Sequence, residues 1–170
     1  MTRPLLLAIG GPTASGKTDL AITLAQRFGG EIVNADSRQV YRGMDIGTAK
    51  PTTEQRAATP HHMLDVVSPD EDYTLALFAR QAHETIAAIA GRGALPILVG
   101  GTGLYIRAVA RGFSVPEVPP NLALRTELQQ LFEAQGIDSL LDRLRTLDPA
   151  GAAVIDGKNP RRLIRAIEVC

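Results

Sequence analysis

The chain carries one cysteine and no excess of charge of either sign. Cys170 has no partner for an internal disulfide, which fits a reducing compartment. Lys and Arg number 18 and Asp and Glu number 18, so the formal net charge is zero. Global charge therefore recommends neither a nucleic-acid nor a membrane partner; any such binding needs a local patch. No apolar run approaches the roughly 20 residues that span a bilayer. No signal peptide is expected, because Met1-Thr-Arg-Pro4 leads directly into an apolar run. The expectation is a soluble cytoplasmic protein. Hydrophobic residues make up 45% of 170 positions, enough for one domain with a core, or one plus an appendage.

What is present begins with Gly11-Pro-Thr-Ala-Ser-Gly-Lys-Thr18. Its Gly11-x-x-x-x-Gly16-Lys17-Thr18 spacing is the phosphate-binding loop pattern. Leu5 to Ile9 before it is unbroken and apolar, which suits a buried parallel strand. Leu20, Leu24 and Phe28 after it recur at helical spacing, and Gly29-Gly30 supply a stop. Gly11 and Gly16 permit backbone angles closed to other residues. The N–H groups from Ala14 to Thr18 can then converge on one anion at a helix N-terminus. Lys17 reaches the outer phosphate, and the Thr18 hydroxyl can ligate Mg²⁺. Gly11, Pro12, Thr13, Ala14, Ser15, Gly16, Lys17 and Thr18 are thus the candidate diphosphate or nucleotide site. The loop alone does not say which phosphate compound it takes.

Glu31 to Ala35 reads as a second strand, with Asp36 immediately after it. Ligands of open α/β sheets bind beyond the carboxyl ends of strands, so Asp36 comes near the loop if the two strands are neighbours. A turn cap, helped by Ser37, is the plainer reading of the same residue. Arg38 to Pro60 has no regular period and reads as an ordered loop or as short helical pieces. His61-His62 has no further Cys or His at ligand spacing, so a turn before a short strand near Leu64 is preferred to a metal site. Thr74 caps a helix carrying Leu75, Phe78, Ala82, Ile86 and Ile89, closed by Gly91 and Gly93. Ala94 to Val99 is the next strand, and a helix from Leu104 to Arg111 follows it. That strand ends in Gly100-Gly101 rather than in the acid that many phosphate-loop ATPases place there to hold Mg²⁺, which weakens an ATPase reading and leaves small-molecule kinases open.

The texture changes after the proline-rich connector Ser114 to Pro120. Asn121 caps a helix with Leu124, Leu128, Leu131 and Phe132, closed by Gly136. Ile137, Leu140, Leu141, Leu144 and Leu147 mark another, and Asp148-Pro149 and Asn159-Pro160 each read as a cap with proline in the first turn. Lys158, Arg161, Arg162 and Arg165 lie between Asp156 and Glu168 with no acid among them. On those residues alone a solvated helix face is favoured over a phosphodiester contact.

Taken together, these stretches resemble the tRNA dimethylallyltransferases. The resemblance is carried by Gly11 to Thr18, Ala35-Asp-Ser-Arg-Gln-Val-Tyr-Arg-Gly-Met-Asp-Ile-Gly-Thr-Ala-Lys-Pro51, His61-His-Met-Leu-Asp65, Pro96-Ile-Leu-Val-Gly-Gly-Thr-Gly-Leu-Tyr105 and Pro160-Arg-Arg-Leu-Ile-Arg165. It runs from about Leu5 to Cys170. It implies an α/β fold with a P-loop NTPase-like parallel sheet flanked by helices, here as a catalytic core over residues 1–115. A C-terminal all-helical, tRNA-binding insertion then begins over residues 116–170 and is cut short.

The implied reaction moves a dimethylallyl group from its diphosphate to the exocyclic amine of the adenosine beside the anticodon. The resemblance implies that the loop holds the prenyl diphosphate rather than ATP, with Mg²⁺ on Thr18, and that Asp36 is the base. It implies that Asp36, Ser37, Arg38 and Gln39 meet the target nucleotide, with Thr102 and Arg125 as further tRNA contacts. Arg161, Arg162, Leu163, Ile164 and Arg165 would meet the backbone of the anticodon stem-loop, and Lys17, Thr18 and Thr102 would share the chemistry with Asp36. It further implies a monomer at full length and more strands after Cys170; without strand neighbours these residues alone are expected to be marginally stable, with their own activity left open, and the lack of a long apolar run gives no membrane partner. Arg38 and Leu77 depart from the Met and Asp often found in the family. Two other readings stay open: an adenylate isopentenyltransferase acting on free nucleotides, and a P-loop small-molecule kinase or non-catalytic nucleotide-binding module.

Overall fold

The computed structural model describes residues 5–112, 116 and 118–170; Met1–Pro4 and part of the connector Ser114–Pro120 lie outside the described residues. The chain divides into two compact units, Met1–Val115 and Pro116–Cys170.

The first unit is α/β. Strands β1 (Leu7–Gly10), β2 (Gly30–Asn34), β3 (His61–His62) and β4 (Leu95–Gly100) form one sheet in the order β1-β4-β2-β3, every pair parallel. Helices α1 (Lys17–Phe28), α2 (Thr53–Ala58), α3 (Leu75–Gly91) and α4 (Gly103–Ala110) accompany it. The pleat sends alternate residues of β2 and β4 to opposite faces. Ile32, Ile97 and Val99 pack with Ala21 and Ala25 of α1. Val33 and Leu98 pack with Phe78, Ala82 and Ile86 of α3 and with Tyr105 and Val109 of α4. The Phe78 and Tyr105 rings stack with centroids 3.8 Å apart.

Three expectations change. The apolar run before the phosphate loop does form a strand, but among the described residues β1 has a strand neighbour on one side only, and Ala8 and Gly10 are exposed. Leu20 and Phe28 of α1 are 51% and 58% exposed, and the helix instead buries Ala21 and Ala25. Two alanines one turn apart let a helix lie closer to a sheet than leucines would. The short strand is His61–His62 itself, not a segment around Leu64.

The second unit consists of α5 (Leu122–Gln135), α6 (Ile137–Leu147), α7 (Pro149–Val154) and α8 (Pro160–Val169). Asn121, Asp148 and Asn159 cap α5, α7 and α8 by accepting from the N–H groups of Leu124, Gly151 and Arg162. Gly136, at φ 80°, turns the chain between α5 and α6. The core is aliphatic: Leu128, Leu140, Leu144, Leu163, Ile164 and Ile167.

Candidate functional site

The site forms where β1, β4 and β2 end, at the carboxyl edge of the sheet. The loop after β1 turns through two left-handed residues, Ala14 at φ 62° and Gly16 at φ 76°. Gly16 uses the freedom expected of it. Gly11 does not: its φ is not left-handed, and a Cβ there would meet Ser15 Oγ at an ordinary 3.5 Å. Ser15 Oγ donates to the Pro12 carbonyl at 2.8 Å, and Lys17 Nζ donates to that carbonyl and to Ser15 Oγ. Residues Thr13 to Asp19 line a cavity of about 360 Å³.

Asp36 lines the same cavity, although β1 and β2 are not neighbours. β4 lies between them, and the gap is bridged by its last residues. A Cβ on Gly101 would stand 3.6 Å from Asp36 Oδ2 and 3.7 Å from the Gly11 carbonyl oxygen. Of the glycine pair that looked like a missing acid, Gly100 is the one the close approach requires, because a Cβ there would collide with the backbone of Ala35 before Asp36, while Gly101 would accept one at ordinary contact distance. Asp36 Oδ1 also accepts from the Arg38 N–H at 2.9 Å, so the turn-cap reading holds for one oxygen of the same carboxylate. Thr102 ties this turn to α4: its Oγ1 accepts from the Ser37 N–H at 2.9 Å and donates to Ser37 Oγ at 3.2 Å. Gln39 lines the cavity and spends its amide group on the Thr48 and Ala49 carbonyls.

Several lining residues had no signal in the sequence. Asn34, buried, donates to the Met63 carbonyl at 3.1 Å and anchors a backbone held left-handed at Met63. His61 contributes from β3, with its Nδ1 2.7 Å from the Thr59 carbonyl and Nε2 buried without a partner among the described residues. Burial holds its pKa below the ordinary histidine value, so the ring is neutral near pH 7. Gln55 was legible in principle: Thr52 and Gln55 form a capping box, and Gln55 Nε2 donates to Asp19, joining α2 to α1. Burial pushes the Tyr105 hydroxyl up to about 12, with the charges of Tyr41 and Asp36 adding to it. Among the described residues no group of three or more His, Cys, Asp or Glu side chains could hold a metal. Thr18 offers a single hard oxygen, which suits Mg²⁺ bound mainly by phosphate and water.

Residues 39–170 match the family model described as IPP transferase. The chain belongs to the IPP transferase family. It is 56% identical over 164 residues to the tRNA dimethylallyltransferase of Roseiflexus sp. strain RS-1, covering 96% of this chain and 54% of that one. It is 51% identical over 167 residues to the tRNA dimethylallyltransferase of Thermomicrobium roseum, covering 98% and 51%. Among solved structures it resembles the full-length tRNA isopentenylpyrophosphate transferase of Bacillus halodurans, with a TM-score of 0.66 and 46% identity over 98% of this chain and 55% of that one. A eukaryotic dimethylallyltransferase captured acting on tRNA gives a TM-score of 0.79 at 30% identity, over 99% and 41%. The chain spans about half the length of the relatives it matches.

In this IPP transferase chain the expected tRNA contacts of the helical unit divide into two groups. Leu163, 0% exposed, is enclosed in the helical core, so its side chain is not free to meet a nucleic acid, whereas Ile164, 8% exposed, packs in that core and also lines a surface groove. The arginines lie outward, but not all are spare. Glu168, buried, accepts from Arg125 Nε and Nη2, each at 2.8 Å, from Arg165 Nη1, and from the Asn121 N–H at 2.7 Å. Bonding to Arg125 chiefly, then to Arg165 and the Asn121 N–H, outweighs burial and lowers the Glu168 pKa to about 2. Arg165 also donates to the Val118 carbonyl at 3.0 Å. Arg162 pairs with exposed Asp156 at 3.2 Å, and Arg161 is exposed. Arg125, Arg161 and Arg165 share a groove of about 770 Å³ with Leu122 and Gln129.

Proposed function

We propose that the protein transfers a dimethylallyl group from dimethylallyl diphosphate to the exocyclic amine of the adenosine beside the anticodon of tRNA. The observation that carries this reading is one cavity lined by both the phosphate loop and Asp36, in a chain of the IPP transferase family. The loop from Gly11 to Thr18 holds the diphosphate, and Lys17 offsets the charge that grows on it as the carbon–oxygen bond breaks. The adenine amine is a weak nucleophile because its lone pair is shared with the ring. As its nitrogen bonds to the prenyl carbon it must lose a proton, and Asp36 accepts it. Diphosphate leaves with the electron pair of the broken bond. Thr102 fixes the Asp36–Ser37 turn, and Ser37, Arg38 and Gln39 meet the flipped nucleotide.

Thr18 would contribute the protein oxygen to a Mg²⁺ ion, which supplies further neutralisation of the diphosphate. Arg161, Arg162, Arg165 and Arg125 present positive charge to the anticodon stem-loop. The reaction suits a cytoplasmic enzyme acting as a monomer.

The test is to incubate the protein with labelled dimethylallyl diphosphate, Mg²⁺ and unmodified tRNA. Label on the tRNA is the expected result. Label accepted equally by free AMP, or phosphoryl transfer from ATP with none to tRNA, overturns the reading in favour of the adenylate enzyme or the kinase.

A further inference from the structure

The irregular stretch from Gln39 to Asp65 is organised around a buried cation. The Lys50 side chain is 1% exposed. Its Nζ donates to Asp65 Oδ1 at 2.6 Å, to Asp45 Oδ1 at 2.8 Å and to the Tyr41 carbonyl at 2.6 Å, so all three ammonium hydrogens are used. Burial by itself would lower the Lys50 pKa, but the Asp45 and Asp65 carboxylates outweigh it and raise it, and the ammonium stays charged. Asp65 in turn accepts from Arg56 Nη1 at 2.9 Å, and its N–H donates to the Gln39 carbonyl at 3.3 Å. The Lys50 N–H closes the turn 45–50 onto the Asp45 carbonyl at 3.2 Å.

That turn determines what Gln39 can offer. Gln39 Nε2 donates to the Thr48 carbonyl at 3.0 Å and to the Ala49 carbonyl at 3.1 Å. Two carbonyl acceptors demand the amide nitrogen, so the network fixes the orientation of the carboxamide. With both hydrogens spent, Oε1 is the atom left for a substrate.

We propose that Lys50 is a positioning residue for the transfer: by clamping Asp45, Asp65 and the Tyr41 carbonyl it fixes the turn 45–50, and through the Thr48 and Ala49 carbonyls it holds Gln39 as a hydrogen-bond acceptor in the wall that Asp36 shares. The role rests on the prenyl-transfer reading, in which an amine with two N–H bonds is the nucleophile. One N–H proton goes to Asp36, and an acceptor at Gln39 orients the other. A carboxamide free to turn would present its NH₂ as often, which the amine does not need.

The test is a double-mutant cycle on transfer to tRNA. Lys50→Met keeps the stem and removes the ammonium. It should lower kcat about tenfold or more while leaving dimethylallyl diphosphate affinity nearly unchanged. In a Gln39→Ala background the same change should cost no more than about twofold, because its effect passes through Gln39. An equal loss in both backgrounds, or no loss in either, overturns the proposal. If Lys50→Met does not fold, Asp45→Asn, at the 63% exposed end of the clamp, enters the same cycle under the same criteria. If the unaltered protein transfers nothing to tRNA, the prenyl-transfer reading fails, and backbone exchange decides the latch. Amides of residues 45–50 exchanging about tenfold faster in Lys50→Met support it, and unchanged exchange overturns it.

Discussion

Gly100 lies against the backbone of Ala35 so closely that a Cβ on it would stand 2.1 Å from the Ala35 carbonyl oxygen and 2.8 Å from its α-carbon. The contact is backbone to backbone. The Ala35 N–H donates to the Val99 carbonyl at 2.7 Å, and the Ala35 carbonyl accepts from the Thr102 N–H at 3.2 Å. Gly100→Ala must therefore push the end of β2, and Asp36 with it, away from β4. The expected cost is about 1–3 kcal/mol of stability, as for other overpacked sites, with a larger loss of transfer than the stability loss explains. Denaturant unfolding and a transfer assay on the same preparation check it; a variant equal to wild type in both would contradict the close approach.

Asp36→Asn is expected to keep the local turn. Its Oδ1 can still accept from the Arg38 N–H, while the group replacing Oδ2 cannot take a proton. Diphosphate binding should be nearly unchanged and transfer should fall by about 10² to 10⁴, the usual contribution of a general base. A variant retaining more than roughly a tenth of wild-type turnover shows that the proton goes elsewhere.

Replacing Arg161 and Arg162 together by Ala should weaken tRNA binding and flatten its salt dependence by up to about 1.4 to 1.8 in slope, at 0.7 to 0.9 per phosphate contact. Donor affinity should not move. Arg165 is left out because Glu168 and the Val118 carbonyl hold it, so its removal confounds stability with binding. Titrations of tRNA binding at several salt concentrations give the answer, and an unaltered slope returns both residues to the role of a solvated face.

Glu168 makes the helical unit sensitive to acid. Its folded pKa, about 2, lies below the ordinary value of 4.5. The folded state thus binds the proton less readily than the unfolded chain, and the stability it contributes is complete above about 4.5 and is lost as pH falls towards 2. Glu168→Gln should be less stable at pH 7 and should flatten the decline between those values. Denaturant midpoints measured from pH 6 to pH 2 check both; Glu31, with a folded pKa also about 2, keeps some slope in the variant.

Much of this architecture was written locally. Thr74, Asn121, Asp148 and Asn159 cap the helices they were expected to cap, because the signal is a side chain and an N–H three residues on. Gly16 and Gly29 adopt the left-handed conformations their positions require. What was not legible depends on partners distant in sequence. Leu20 and Phe28 outrank Ala21 and Ala25 on any hydrophobic scale, yet the sheet selects the small residues because they allow close packing. The Arg125–Glu168 pairing spans 43 residues. Lys50 sits in a segment without periodicity, and no rule of composition marks it as buried. Gly100 was visible, but its meaning lay in Ala35, which only the pairing of β2 with β4 brings to it.

That order also acts as a gauge. Neighbouring strands stand about 4.8 Å apart, so inserting β4 between β1 and β2 sets the strand that feeds the phosphate loop roughly 10 Å from the one that feeds Asp36. On the proposed reading, the two ends of the reaction are thus held at a fixed spacing by hydrogen-bonded backbone rather than by side chains. A donor must bridge that interval with its phosphates at one end and its electrophilic carbon at the other. A substrate too short to bridge it would sit in the loop and leave the carboxylate idle. Discrimination by reach would then be a property of the sheet, and no single side-chain replacement in the cavity should abolish it.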